Sequence, residues 1–210
     1  FENALLDAAM LLSENPHHQY LLGGVDEISD YNYNIDWLDG CFKKEKISNA
    51  ELYNSNSDGT IAGEGAAMFL VNNNSVNAVA VQTLHTTNEE DVRQALKQFL
   101  QQQLPAAQQT DLLLTGENGD ARQSKCYIAA ESLFDSHTTI ARFKHLCGEF
   151  PTASAIALWL VCYLKKLPQH MIKRQGTASA VRHIIICNNY RGLQHGFMHI
   201  TLEQGLHNSI

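Results

Sequence analysis

RFKHLCGEFPTASAIALWLVCYL, from Arg142 to Leu164, is the stretch on which the reading of the whole chain turns. A basic and polar run, Arg142 to Gly148, precedes the small residues Thr152-Ala153-Ser154-Ala155, and the most apolar segment of the sequence follows. A helix that is apolar on nearly every face is a buried one, so the spacing predicts a core helix from about Thr152 to Lys166. Small residues at its start admit a neighbouring backbone or a ligand. The unpaired N–H groups and the positive end of the dipole at a helix start favour an anion or a developing negative charge. Lys144 and Glu149 stand just ahead of that point, which places polar chemistry at the mouth of a buried helix.

Outward from this segment the chain reads as alternating helices and short buried strands. Toward the N-terminus, Asp111–Thr115 is an apolar strand that runs into Gly116-Glu117-Asn118-Gly119-Asp120. Ala121–Phe134 is mostly helical, and Thr138–His145 fits strand or helix. Asn88–Gln103 is an amphipathic helix, with Asn88 as its N-cap and three carboxylates in its first turn. Val76–Thr83 and the run ending at Val71 flank a turn at Asn72–Ser75 and read as a hairpin. Asp26–Gly59 is polar and irregular, and a loop that long predicts short helices near Ile35–Cys41 and Asn49–Tyr53. Gln19–Gly24 is a buried strand, and Glu2–Leu12 a helix. Toward the C-terminus, Gly176–Ala180 is a loop, Val181–Cys187 a β-branched strand, Asn188–Gly196 a loop and Phe197–Leu202 a closing strand. Such alternation predicts a layered α/β protein.

Composition narrows the function. The 210 residues are 44% hydrophobic and 18% charged, as in ordinary globular chains. A net charge of -7 without a Lys/Arg cluster argues against a nucleic-acid partner. The apolar run from Ala153 to Leu164 is too short to span a bilayer. Five scattered cysteines with no C-x-x-C pair argue for reduced thiols in a cytoplasmic protein, without a zinc site or disulfide framework. The chain opens with Phe1 directly into a helix, like a chain joined partway through.

Several motifs in order resemble one family. Leu21-Leu22-Gly23-Gly24-Val25-Asp26, the run Asp58-Gly59-Thr60-Ile61-Ala62-Gly63-Glu64-Gly65-Ala66-Ala67, Lys144-x-x-x-Gly148 and Asn189-x-x-Gly192 resemble the β-ketoacyl-acyl-carrier-protein synthases. The G-E-G-A-A run is the most specific of these. The resemblance spans essentially the whole chain and implies a thiolase-like layered αβαβα fold, of which this is the part after the nucleophile position. Residues 1–85 would be the remainder of the N-terminal half and 86–210 the C-terminal half. By spacing from Gly23-Gly24, the family's nucleophilic cysteine would lie about three residues before Phe1, capping the first helix.

The same resemblance assigns the site. The family's first catalytic histidine falls on Asn118 and its second on Glu149, while its supporting lysine is kept as Lys144. The family's glycine-rich loop, which lends backbone N–H groups to an oxyanion hole, becomes Gly192-Leu193-Gln194-His195. Asn118 can still donate to a thioester oxygen, whereas an ionised Glu149 beside a developing enolate raises the barrier by like-charge repulsion. His145 and His195 are the histidines that could replace those lost. His199 is expected to face outward, Cys147 to be a buried thiol, and Glu64 to be a structural hydrogen-bonder. The resemblance implies no cofactor and no metal. It implies an acyl carrier protein or acyl thioester as ligand, and a homodimer or a heterodimer with an active ketosynthase. The expected role is a degenerate, chain-length-factor-like subunit of fatty-acid, polyketide or polyene biosynthesis. The alternatives are an active 3-oxoacyl synthase using an upstream cysteine, and a plain structural α/β module.

Overall fold

The computed structural model describes residues 1–74, 77–105 and 108–207. Its helices are α1 (Glu2–Glu14), α2 (Asp30–Leu38), α3 (Glu89–Gln103), α4 (Ser124–Glu131), α5 (Lys144–Cys147) and α6 (Ala153–Tyr163). Its strands are β1 (Tyr20–Asp26), β2 (Gly65–Val71), β3 (Ala78–His85), β4 (Leu112–Thr115), β5 (Thr139–Arg142), β6 (Ile172–Arg174), β7 (Ala180–Tyr190) and β8 (Gln194–His207).

Two sheets form. The larger has the order β3-β8-β7-β4-β5-β6, and the smaller is β1-β2 alone. In the larger sheet β4 is parallel to β5 and β7, while β8 runs antiparallel to both β7 and β3. Consecutive residues of β4 are all buried, as expected of a strand covered on both faces. One face packs on α1 and α6 through Leu5, Leu112, Leu114, Ala157, Leu158, Val161, Ile184 and Ile186. The inner face of the small sheet, Leu22 and Phe69, closes on the same cluster. The other face of the large sheet packs on α3 and α4 through Val92, Leu96, Phe99, Ala130, Leu113, Ile185 and Phe197. The layers therefore run small sheet, α1 with α6, large sheet, α3 with α4, in the layered α/β arrangement expected of a thiolase-like fold.

Four sequence expectations are corrected. The run ending at Val71 and the strand after it do not form a hairpin: β2 pairs with β1, and β3 pairs along its whole length with β8. The turn signal at Asn72–Ser75 marks a reversal of direction, which does not say which strand is the partner; Ser75 and Val76 lie outside the described residues. By this pairing β3 lies at one edge of the six-stranded sheet. The loop at Asn188–Gly196 shrinks to a tight turn, because β7 and β8 continue to Tyr190 and from Gln194. His199 is buried and stacks on His183 at 5.7 Å between centroids, because β8 is an interior strand with both faces covered. The core helix also ends at Tyr163, and Trp159 and Tyr163 reach the surface, so α6 is apolar all round without being buried all round.

Asn88 caps α3 as expected, its side chain accepting from Glu90 N at 3.0 Å. Cys147 is a thiol held up to about 11 by burial, with Lys144 pulling only secondarily in the other direction.

Candidate active site

The site is assembled where the G-E-G-A-A run meets the segment between α5 and α6. Gly148 has φ +75 and lies back to back with Gly63 of the G-E-G-A-A run, so that backbone meets backbone with no side chain between. That contact lets Glu149 N donate to Ile61 O at 2.8 Å and Gly63 N donate to Glu149 O at 3.1 Å. Glu149 is thereby held by its own backbone on both sides. Glu64 accepts from Ile28 N at 2.9 Å and ties the same run to the loop after β1.

Lys144, Glu149 and Asn118 converge. Lys144 is fully buried, and its Nζ donates to Glu149 Oε1. Asn118 Nδ2 donates to Glu149 Oε2 at 2.8 Å and lies 3.3 Å from Gln123 Oε1. Both oxygens of the carboxylate therefore accept from site donors, and the pair satisfies the rule that a buried charge needs a partner. Asn118 is fixed in turn: its Oδ1 accepts from Asp120 N at 3.1 Å, and its backbone carbonyl accepts from Thr60 Oγ1 at 2.6 Å.

Two further residues, whose partners sequence reasoning did not name, tie the site to its surroundings. Lys43 is buried, and its ammonium donates to Ser57 O (3.1 Å), Ser57 Oγ (2.9 Å) and Gly119 O (3.0 Å), tying the polar Asp26–Gly59 segment to the carbonyl beside Asn118. Burial pushes its pKa down. Its setting in Lys43-Lys44-Glu45-Lys46 reads as a solvated charge run, so no local signal marks it. Asp26 is the second. Its Oδ2 accepts from Thr152 N at 2.9 Å and from Thr152 Oγ1, so the anion at the head of α6 is a protein carboxylate from β1. Asp26→Ala is expected to cost about 1–2 kcal/mol by uncapping α6. Urea denaturation checks this, with Asp26→Asn recovering part of the loss.

The terminal loop at Gly192–His195 is a closed hairpin connection. Arg191 and Gly192 have φ 57 and 69, and Leu193 N donates to Tyr190 O at 3.2 Å, which closes the three-residue connection between β7 and β8. Gly192 N donates to Asn189 Oδ1 at 2.7 Å. The N–H groups of Gly192 and Leu193 are thus engaged within the turn. Gln194 begins β8, and His195 points to Thr86, donating from Nε2 to its carbonyl oxygen at 3.0 Å. His145 is likewise turned away from Glu149: its backbone N–H donates to Tyr53 Oη, which in turn faces its Nδ1, both at 3.2 Å. Burial, then His170 and Arg142, pushes the His145 imidazole down to about 4. Each histidine thus has a partner of its own, Tyr53 for His145 and Thr86 for His195.

Asn118, Glu149 and Gly192 line one cleft of about 690 Å³. Its outer wall is α2, held by Arg191 paired with Asp36 and by Arg122 Nη2 donating to Gly40 O at 2.8 Å. Asp26, Glu27, Asp36, Asp39 and Asp120 also line it, and Arg122 and Arg191 are already bonded to Asp120 and Asp36. The cleft is consequently acid-rich with its guanidinium groups neutralised. Among the described residues no helix is long and apolar enough to cross a membrane.

No protein-family model and no curated protein matches the sequence. The fold has clear counterparts among solved structures. The ishigamide ketosynthase/chain length factor matches with TM-score 0.65 at 16% identity, covering 96% of this chain and 54% of that one. A β-ketoacyl synthase from Burkholderia phymatum matches with TM-score 0.64 at 13% identity, covering 96% and 59%. The oxazolomycin ketosynthase domain of Streptomyces albus matches with TM-score 0.72 at 13% identity, covering 96% and 45%. The chain thus has the fold of the ketosynthases and spans about half the length of those structures.

Proposed function

We propose that this ketosynthase-like fold serves as a catalytically degenerate subunit in fatty-acid, polyketide or polyene synthesis, pairing with an active ketosynthase in the manner of a chain-length factor. The observation that carries the reading is the Lys144–Glu149–Asn118 chain. Decarboxylative condensation of a malonyl thioester builds negative charge on the thioester oxygen, and oriented donors must face it. Here the ammonium and the side-chain amide both donate to an internal carboxylate that occupies the second histidine position. One lost donor of this kind costs about 3–4 kcal/mol of transition-state stabilisation, or a factor of about 100–1,000 in rate. A carboxylate in its place adds repulsion. The acid-rich cleft works against an anionic malonyl group in the same direction, while leaving room for a neutral acyl chain or the thioester end of a carrier protein.

The test is release of carbon dioxide from radiolabelled malonyl-carrier protein by the full chain. Release at the no-protein background is expected. Release above background that Lys144→Ala abolishes would establish an active condensing enzyme instead.

A further inference from the structure

Asn118 meets the cleft through a side-chain amide whose orientation is fixed by its partners. Its Oδ1 accepts from Asp120 N at 3.1 Å, so Nδ2 is the atom turned toward Glu149 and Gln123. An amide nitrogen carries two hydrogens. One is donated to Glu149 Oε2 at 2.8 Å and the other to Gln123 Oε1 at 3.3 Å. Asn118 lines the cleft, yet neither of its side-chain N–H groups is left over for a ligand. The two bonds are unequal. The first has a carboxylate as acceptor, and a charge-assisted bond is roughly twice as strong as a neutral one. The second joins two neutral amides at a separation just past the usual range. Glu149 is also fixed by Lys144 and by its own backbone, whereas Gln123 is a half-buried side chain in the cleft wall. The bond to Gln123 is therefore the one that a ligand can replace.

Gln123 is itself oriented. Its Nε2 donates to Asp120 Oδ2 at 3.3 Å, so Oε1 is the end presented to Asn118. Asp120 is buried and held in turn by Arg122, which donates from Nε to Oδ1 at 2.9 Å and from Nη2 to Oδ2 at 2.7 Å. Arg122 Nη2 also donates to Gly40 O, just beyond α2. An unbroken chain of donors and acceptors thus runs from the outer wall of the cleft through Arg122, Asp120 and Gln123 to Asn118. We propose that Gln123 is an autoinhibitory latch on this cleft: its side-chain carbonyl occupies the place on Asn118 that a ligand's carbonyl oxygen takes, and the ligand must displace it. The donor sets the ligand class. A single N–H between Glu149 and Asp120 selects an uncharged acceptor, because a carboxylate oxygen there would meet two like charges. Once displaced, Gln123 Oε1 faces the cleft, where water can reach it, so the exchange strands no buried polar group.

The latch rests on the proposed reading of the cleft as a place for an acyl thioester, and adds what regulates entry to it. The probes are S-hexanoyl pantetheine and S-hexyl pantetheine, which has a chain of the same length and no thioester carbonyl. Titration calorimetry on the full chain measures both. Gln123→Met keeps the length of the side chain and removes its carbonyl. It is expected to tighten S-hexanoyl pantetheine by about 3- to 10-fold, the worth of one neutral hydrogen bond that need no longer be broken, and to leave S-hexyl pantetheine within about 2-fold. Gln123→Leu should repeat the gain. In the unsubstituted chain, S-hexanoyl pantetheine should shift one Asn118 side-chain amide proton and S-hexyl pantetheine neither. A gain shared by both probes would overturn the latch and make Gln123 a space-filling residue. Thioester binding that gains nothing from either substitution, or that leaves both Asn118 protons in place, would overturn it as well. In each of these results the probes still bind, so the acyl reading of the cleft survives. Failure of both probes to bind any of the proteins would overturn the latch and that reading together.

Discussion

Lys144→Met is expected to lower stability by about 3–5 kcal/mol, among the largest effects of any single substitution in this chain. Lys144 is fully buried and Glu149 nearly so, and among the described residues the ammonium is the only cationic partner of that carboxylate. Removing it leaves an ionised group in the interior with Asn118 as its one remaining side-chain donor. Truncating one member of a buried pair costs far more than the pair contributes, because the surviving charge is stranded. At about 2–4 °C per kcal/mol for a chain of this size, the midpoint of thermal unfolding should fall by about 6–20 °C. The double substitution Lys144→Met with Glu149→Gln removes both charges and keeps an acceptor for Asn118. It should recover all but about 1–2 kcal/mol of the loss, giving a strongly favourable coupling in the double-mutant cycle. Urea denaturation of the four proteins provides the measurement. A single substitution that costs under about 1 kcal/mol, or a double that costs as much as the single, would show that the pair is not closed as described.

The same residues show what a sequence can and cannot disclose. The meeting of Asn118, Lys144 and Glu149 was expected from the order of the motifs along the chain, and hydrogen bonds join the three side chains. Their convergence needs strands β4 and β5 to lie side by side, as buried apolar runs allow, and the Gly63–Gly148 contact to hold Glu149. The helices were legible for a local reason: caps such as Asn88 and apolar spacing are written within a few residues of each other. Strand partners were not. β2 and β3 are adjacent in sequence with a turn signal between them, yet belong to different sheets, because pairing is decided by which faces the helices bury. Asp26 and Lys43 act across long sequence separations, on Thr152 and Gly119, and nothing near either residue announces its partner. The closed turn at Arg191–Gly192 was hidden for a similar reason. Asn189 and Gly192 fit an open glycine-rich loop and a tight hairpin equally well until the length of β7 and β8 is known.

The second large effect belongs to Gly63→Ala, which is expected to cost about 3 kcal/mol or more and to displace Glu149. A Cβ at Gly63 would overlap the carbonyl oxygen of Cys147 and come within 2.7 Å of Gly148 Cα. Neither obstacle is the end of a flexible side chain. The Cys147 carbonyl is fixed by the turn that follows α5, and Gly148 is held at φ +75 with its own N–H donating to Lys144 O at 2.7 Å. The only relief is to part the two backbones. That breaks the Glu149 N to Ile61 O and Gly63 N to Glu149 O hydrogen bonds and draws the carboxylate away from Asn118. Gly65→Ala, two residues on in the same motif, makes the control. Its nearest obstacles are Phe150 Cζ at 3.2 Å and Ile156 Cδ1 at 3.5 Å, side-chain atoms that yield by a few tenths of an ångström, so about 1 kcal/mol or less is expected. Denaturation midpoints rank the two substitutions. The site itself is read by the side-chain amide resonances of Asn118, which should shift in Gly63→Ala and stay in place in Gly65→Ala. Equal tolerance at the two glycines would mean that the halves of the chain do not meet at Gly63 and Gly148, and the placement of Glu149 would fall with that contact.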